Sequence, residues 1–109
     1  LGVRRQSDSA ILKVIIEAPQ LSEKEIRKAV DLCVDGGADY VKTSTGWYPT
    51  HPSFLEQVQI MADQAAGRIK IKAAGGIRSL ETICAMEQAG CNRFGMGLSS
   101  ALALFRDIP

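Results

Sequence analysis

The chain has 109 residues, of which 46% are hydrophobic and 23% are charged, and its formal net charge is +1. These values are typical of one soluble globular domain, and the scattered basic residues give no basis for binding nucleic acid or an anionic membrane. No apolar run approaches the roughly 18 residues of a bilayer-spanning helix, and the start carries no secretory signal pattern. Three cysteines without metal-type spacing predict reduced, buried thiols. We therefore expect no metal, no cofactor and a cytoplasmic location.

The first part of the chain predicts an arm, a strand and a helix. Residues 1–10 are polar and basic without a clear period, which indicates a loop, a helix remnant or an arm. Residues 11–16 are mostly β-branched and apolar, as in a buried parallel strand. Ser22 and Glu25 form a capping box, and the apolar residues behind them recur at helical spacing until two glycines end the helix.

Three further strand–helix units follow. We predict strands at residues 39–43, 68–73 and 92–95, and helices that begin near Pro52, Ser79 and Gly97. Repeated βα units predict an α/β fold with a parallel sheet. Two architectures fit this order, an open doubly wound sheet and a stretch of a (β/α)₈ barrel. Four units are about half of the barrel, which typically needs about 250 residues.

Two lysines close neighbouring strands. Alternation along the strands puts Lys42 on the same face as Tyr40, and Lys72 on the same face as Lys70. We expect Lys70 to lie deeper, either at the opposite mouth or in an ion pair. Desolvation and a nearby cation both lower the pKa of a lysine, and a neutral amine attacks a carbonyl to form an iminium. The pair therefore indicates Schiff-base chemistry. The simpler alternatives are a Lys42 side chain that reaches solvent and an ion pair between Lys72 and Glu17.

Glycines follow the last two strands. Gly75 and Gly76 come after one strand, and a turn with Gly95, Gly97 and two serines leads from the next strand into a helix. Exposed backbone amides and a helix N-terminus form anion sites, although glycines after strands also serve ordinary turns. In the loop after Lys42, we expect Trp47 to wall the site or plug the top of the core, and His51 to cap a helix or face solvent.

Together these residues resemble deoxyribose-phosphate aldolase, a family of class I aldolases with a (β/α)₈ barrel. The resemblance covers residues 11–104, and its most specific motif is GADYVKTSTG at residues 37–46. The runs LKVIIE, KAAGGIR and RFG, at residues 12–17, 72–78 and 93–95, are similar to the family's fifth, seventh and eighth strands. The motif at 37–46 is similar to the sixth strand.

The resemblance implies reversible cleavage of 2-deoxy-D-ribose 5-phosphate to glyceraldehyde 3-phosphate and acetaldehyde. It implies that Lys42 forms the Schiff base and that Lys72 tunes it. It also implies phosphate contacts from loop residues of three strands: Thr45, Gly46, Gly75, Gly76, Gly95, Gly97, Ser99 and Ser100. The turn after Gly95 is spaced differently from the commonest family pattern. Either residues 97–98 or residues 99–100 can therefore take the phosphate.

The sequence lacks the family's first four strands and, with them, an aspartate that assists proton transfer. Because the first residue is Leu rather than Met, we expect a trimmed form or a fragment, with residues 1–109 as one partial domain and 1–10 as its arm. A (βα)₄ half-barrel has two open edges and an uncovered inner face, which predicts a homodimer or pairing with a missing N-terminal half. We expect weak or no turnover alone. The alternatives are an assembly module that at most binds phosphate, and another Schiff-base aldolase on the same barrel.

Overall fold

Helices and strands alternate along the chain. The computed structural model describes residues 2–47 and 55–108, so the predicted roles of His51 and Pro52 lie outside the described residues. The strands are β1 (Lys13–Ile15), β2 (Tyr40–Lys42), β3 (Lys70–Ala74) and β4 (Arg93–Gly95). The helices are α1 (Gly2–Gln6), α2 (Glu23–Asp35), α3 (Leu55–Ala65), α4 (Leu80–Gln88) and α5 (Leu98–Asp107), with a 3₁₀ turn at Ala18–Gln20.

Two predicted helix caps are confirmed. The Ser22 hydroxyl accepts from the Glu25 amide, and the Glu25 carboxylate accepts from the Ser22 amide, each at 3.2 Å. Hydrogen bonding from the Ser22 amide, and to a lesser extent from the Ser22 side chain, lowers the pKa of the Glu25 carboxyl. At α4, the Ser79 hydroxyl accepts from the Thr82 amide at 3.1 Å. Local side chains therefore decide where α2 and α4 begin.

The N-terminal arm folds into the short helix α1. The Arg4 guanidinium donates to the Asp39 carboxylate at 2.6 Å and to the Ser7 and Ala10 carbonyls at 2.6 and 2.7 Å. The same carboxylate accepts from the Leu12 amide at 2.8 Å, and this bond, with Arg4 beside it, lowers the pKa of Asp39. One arginine thus ties the arm to the start of β2.

The four strands form one parallel sheet in the order β1-β2-β3-β4. Val14, Val41 and Ile71 are in register and face the hydrophobic core, which the packed helices α2, α3 and α4 complete. A doubly wound sheet carries helices on both of its faces. Here α2, α3 and α4 pack in chain order, so the arrangement is that of half of a (β/α)₈ barrel.

The core lies between the sheet and the helices, and two predictions about it were wrong. Val41, Met61 and Ala73 are fully buried. Cys84, in contrast, is exposed, because it lies on the outer side of α4, whereas the two other cysteines are buried. Helical spacing from Ser79 onward predicted that Leu80, Ile83 and Met86 are buried, but Leu80 is 42% exposed because it occupies the first turn of α4, and Met86 supplies the buried contact of that helix.

Candidate active site

The face of the sheet opposite the core carries basic side chains, and we call it the inner face. Strand register places its residues in layers. Lys13, Tyr40 and Lys70 are neighbours in the lowest layer, at the amino ends of the strands. Lys42 and Lys72 are neighbours one layer higher, next to Ile15 and Arg93. The predicted alternation is confirmed, including the position of Lys70 toward the opposite mouth. In this layered arrangement the basic residues share one surface.

The two predicted catalytic lysines stand side by side. Lys42 and Lys72 are register partners on adjacent strands, which lie about 4.8 Å apart in a sheet. Burial lowers the pKa of Lys72, and the charges of Lys42, Lys13 and Arg93 lower it further. Both effects favour the neutral amine. The sheet therefore places a lysine with a lowered pKa directly beside Lys42.

A cavity of about 480 Å³ opens at the carboxyl ends of β2, β3 and β4. Its walls hold Lys42 together with all eight residues expected to contact phosphate and four further residues beside them. The eight are Thr45, Gly46, Gly75, Gly76, Gly95, Gly97, Ser99 and Ser100, and the further residues include Ile77, Arg78 and Met96. The structure thus brings the predicted lysine and the predicted loops to one place.

Glu17 contacts Thr45 rather than Lys72. Its carboxylate accepts from the Thr45 hydroxyl at 2.8 Å and from the Thr45 amide at 3.3 Å. The alternative of an ion pair between Glu17 and Lys72 is therefore wrong for the described residues, in which no salt bridge joins them. Glu17 reaches the loop because its backbone turns into the left-handed region, with φ 52°. Glu17 therefore holds Thr45 in place at the rim of the cavity.

Buried hydroxyls fix the loop after β2 to the end of β3. The Thr43 hydroxyl accepts from the Ala74 amide at 3.1 Å, and it and the Ser44 hydroxyl donate to the Ala74 carbonyl. Thr43 and Ser44 are 0% and 1% exposed. These bonds hold two walls of the cavity in a fixed relation, so the Thr-Ser part of the motif has a structural purpose.

Glycines allow two close approaches at the cavity. A Cβ at Gly95 would lie 3.3 Å from both the Lys72 Cε and the Ala74 Cβ. Gly46, with φ 76°, approaches Gly75, whose φ is 94°. The missing side chain at Gly95, the last residue of β4, therefore leaves room for the Lys72 side chain. The sequence indicated only a turn or phosphate role for this glycine.

Two residues near the site differ from what the sequence indicated. Trp47 is 80% exposed, so it does not plug the core, and it is absent from the residues that line the cavity. Arg78 lines the cavity, and no role was predicted for it from the sequence. The signal was present, because an arginine follows the Gly-Gly turn by two residues.

Known proteins resemble this chain closely. A deoxyribose-phosphate aldolase from Aquifex aeolicus is 48% identical over 99 residues, which cover 91% of this chain and 45% of that protein. A solved structure described as QR15, an aldolase, matches with a TM-score of 0.87 at 47% identity, over 96% of this chain and 46% of the other. This chain belongs to the deoxyribose-phosphate aldolase family.

A second solved aldolase agrees on the extent of the match. The deoxyribose phosphate aldolase from Aeropyrum pernix, described as tetrameric, has a TM-score of 0.85 at 34% identity, over 97% of this chain and 45% of the other. The chain thus spans less than half the length of these aldolases. Its fold is half of the aldolase (β/α)₈ barrel, as predicted.

No family model matches this sequence. Over residues 2–47 and 55–108, no helix is long and apolar enough to cross a bilayer, and no group of acidic, histidine or cysteine side chains is arranged to hold a metal ion.

Proposed function

We propose that this chain supplies the Schiff-base half of a deoxyribose-phosphate aldolase. The reaction is reversible cleavage of 2-deoxy-D-ribose 5-phosphate to glyceraldehyde 3-phosphate and acetaldehyde. The observation that carries the proposal is the position of Lys42, which stands beside Lys72 and lines the same cavity as three glycine-containing turns. Membership in the aldolase family supports the same chemistry. Because its substrate is a phosphorylated sugar of intermediary metabolism, we also propose a cytoplasmic location and a catabolic role.

In the proposed reaction, the neutral Lys42 amine adds to the C1 aldehyde carbon of the open-chain sugar, and loss of water gives an iminium. The bond between C2 and C3 then breaks, its electron pair forms an enamine, and the C3 hydroxyl loses its proton. Glyceraldehyde 3-phosphate leaves, and protonation of the enamine followed by hydrolysis releases acetaldehyde and the amine. Lys72 acts as the tuner, because repulsion within a lysine pair favours the state with one neutral amine.

We assign the phosphate to the end of the cavity formed by the Gly75-Gly76 turn and the start of α5. The first helical bond of α5 runs from the Ala101 amide to the Gly97 carbonyl at 3.0 Å. The amides of residues 98–100 therefore precede the helical ladder and point out of it, where they and the helix dipole attract an anion. Both candidate pairs, 97–98 and 99–100, then contribute. Arg78 adds a positive charge on the same wall.

Turnover is proposed to need a second half-barrel. The reaction needs proton transfer at C3, and in the family an aspartate outside this sequence assists it. The second half is either a second copy of this chain or a polypeptide that carries the four other strands. We expect imine formation to survive without it, because that step depends on the amine and the cavity.

Reductive trapping tests the proposal directly. Incubation of the chain with deoxyribose 5-phosphate and cyanoborohydride, followed by peptide mass spectrometry, is expected to place the stable adduct on Lys42. Lys70→Met is the matched control, because Lys70 lies on the same face but outside the cavity. We expect Lys70→Met to keep the adduct and Lys42→Met to lose it.

The other outcomes are equally informative. An adduct on Lys72 instead of Lys42 would reverse the two roles. No adduct above the level of surface lysines would leave a half-barrel that at most binds phosphate. Dihydroxyacetone phosphate and pyruvate serve as competing donors, and preferential trapping of either one would indicate another Schiff-base aldolase.

A further inference from the structure

Glu17 adopts a strained backbone conformation just after β1. Its φ and ψ are both 52°, in the left-handed region that residues other than glycine rarely occupy. Sheet-type bonds on both sides hold it there. The Ile16 amide donates to the Lys42 carbonyl at 3.1 Å, and the next residue, Ala18, donates from its amide to the Thr43 carbonyl at 2.7 Å. Strain that is held this firmly beside the proposed Schiff-base lysine indicates a functional role.

The Glu17 carboxylate takes up the hydrogen-bond donors of Thr45. It accepts from the Thr45 hydroxyl at 2.8 Å, and both of its oxygens lie 3.3 Å from the Thr45 amide nitrogen. Glu17 also begins the 3₁₀ turn at Ala18–Gln20, yet its side chain makes no capping bond to that turn. None of the salt bridges among the described residues includes Glu17. The side chain therefore serves Thr45, which lies 28 residues further along the chain.

These bonds decide what one side of the cavity can offer a ligand. Lys42, Thr45 and Gly46 line this side, which we call the β2 wall, and Glu17 lies behind it, outside the cavity lining. A hydroxyl has one donor, and a backbone amide has one. Both Thr45 donors are directed at Glu17, so the Thr45 side chain keeps only acceptor capacity for a ligand. A phosphate is held by donors and repelled by a nearby carboxylate, so this wall suits the uncharged part of a sugar.

The far end of the cavity has the opposite character. There the amides of residues 98–100 precede the helical ladder of α5, and Arg78 adds a positive charge. One end thus attracts an anion and the other disfavours it, and discrimination is sharpest when both devices act together.

We propose that Glu17 is a positioning residue that sets the direction in which a phosphorylated sugar lies in the cavity. By occupying both Thr45 donors and by its negative charge, it keeps the phosphate away from the β2 wall and leaves Lys42 to the aldehyde end. Thr45 is then not among the phosphate contacts. This inference rests on the proposed Schiff-base function and adds to it a residue that acts through Thr45.

Two substitutions separate the charge of Glu17 from its hydrogen bonds. Glu17→Gln removes the charge but keeps an oxygen that can accept from Thr45. Glu17→Gly removes the whole side chain and introduces the residue that suits a left-handed backbone, so the turn is retained.

Reductive trapping on Lys42 is measured against the concentration of two sugars, 2-deoxyribose 5-phosphate and 2-deoxyribose, which lacks the phosphate. With the phosphorylated sugar, we expect Glu17→Gln to lower both the maximum rate and the half-saturating concentration, because a reversed molecule fills the cavity without reacting. The expected decrease is about two- to fivefold, the range of a partly exposed charge pair. With 2-deoxyribose, both values should stay at the level of the unmodified chain. Glu17→Gly should enlarge the difference between the two sugars.

Glu87→Gln is the matched control. It changes the net charge equally, and Glu87 is exposed near the end of α4 that leads back to the amino end of β4. Its trapping with both sugars should equal that of the unmodified chain. Equal slowing of both sugars in Glu17→Gln would overturn the proposal, because it would show that Glu17 only maintains the shape of the loop. Unchanged trapping of the phosphorylated sugar would overturn it as well. Circular dichroism verifies that each variant is folded.

Protection from acetylation tests the same inference without an imine. Inorganic phosphate is the probe, and the acetylation rate of Lys42 is followed by peptide mass spectrometry. In Glu17→Gln, phosphate gains access to the β2 wall, so it should slow Lys42 acetylation at a concentration about two- to fivefold lower than in the unmodified chain. Equal protection in both chains would overturn the proposal. Failure of either sugar to form an adduct on Lys42 would end the proposed function, but this measurement would still report where phosphate binds, so the two failures are distinguishable.

Discussion

The two faces of the same four strands differ completely in chemistry. On the outer face, Val41, Ile71 and Ala73 are 0–2% exposed and pack against helices. One residue away in each strand, Lys42 and Lys72 point to the opposite side. Strand alternation makes this contrast possible, because successive side chains leave the sheet in opposite directions. One face therefore holds the fold together, and the other is free to carry charge.

The comparison also shows why the inner face tolerates its charges here. The outer face buries a continuous apolar core, so the sheet does not depend on inner contacts for its stability. The charged inner side chains are exposed or partly exposed, so they keep much of their hydration, whereas Tyr40 among them is buried. Substitutions on the two faces should therefore have very different effects, and the following experiments measure how sharp that difference is.

The largest expected effect is on the outer face. Ile71→Ala removes a side chain that is 2% exposed and is the second residue of β3. We expect the free energy of unfolding to fall by about 2–5 kcal/mol, since a buried large-to-small change loses transfer energy and leaves a cavity. Urea denaturation followed by circular dichroism measures this loss.

The neighbouring inner residue provides the control. Lys70→Ala changes a side chain that is exposed on the same strand. Its effect on the free energy of unfolding should stay within about 0.5 kcal/mol, as for surface substitutions. Comparable losses for both variants would contradict the division between the two faces, because it would mean that the cation cluster around the Tyr40 ring, formed by Lys13, Lys70 and Arg93, also supports the fold.

The next effect concerns a polar residue among the buried ones. Thr43→Val keeps the shape of the side chain but removes the hydroxyl that bonds the Ala74 amide and carbonyl. The Ala74 carbonyl keeps its bond from the Ser44 hydroxyl, and loss of the hydrogen bond to the buried Ala74 amide costs about 1–3 kcal/mol. We expect a decrease of that size in the free energy of unfolding. Thr45→Val changes an exposed position and should lower the free energy of unfolding by less. We expect a decrease within about 0.5 kcal/mol, in addition to the loss of the hydrogen bond to Glu17.

Much of this contrast could be predicted from the sequence. Strand alternation placed Lys42 and Lys72 on one face, and the capping box at Ser22 marked the start of α2. The motif around Lys42 was specific enough to indicate the aldolase family, which the relatives then confirmed. These features are local, so their residues lie close together in the chain.

What the sequence could not reveal depends on distant contacts. The sequence offered an ion pair with Lys72 as the alternative for Glu17, but its left-handed backbone directs it to Thr45. The cation cluster around Tyr40 combines residues from four strands, and only the strand register brings them together. Cys84 was misplaced because helical spacing does not tell which side of a short helix faces the core.

The smallest expected effect is electrostatic and lies on the inner face. Burial and neighbouring cations lower the pKa of Lys72, whereas an unfolded chain should show a value of about 10.4. Between these two pKa values the unfolded chain binds more protons than the native one, so the free energy of unfolding should rise with pH in that window. The midpoint of Lys72 acetylation against pH, measured on native and urea-unfolded chain, reports the shift directly.

Lys42→Met removes the strongest of the charge effects but not the burial, so it should move the native midpoint only part of the way back. A native midpoint at or above the unfolded one would show that the inner face does not weaken proton binding at Lys72. The difference between the two faces would then be one of packing alone.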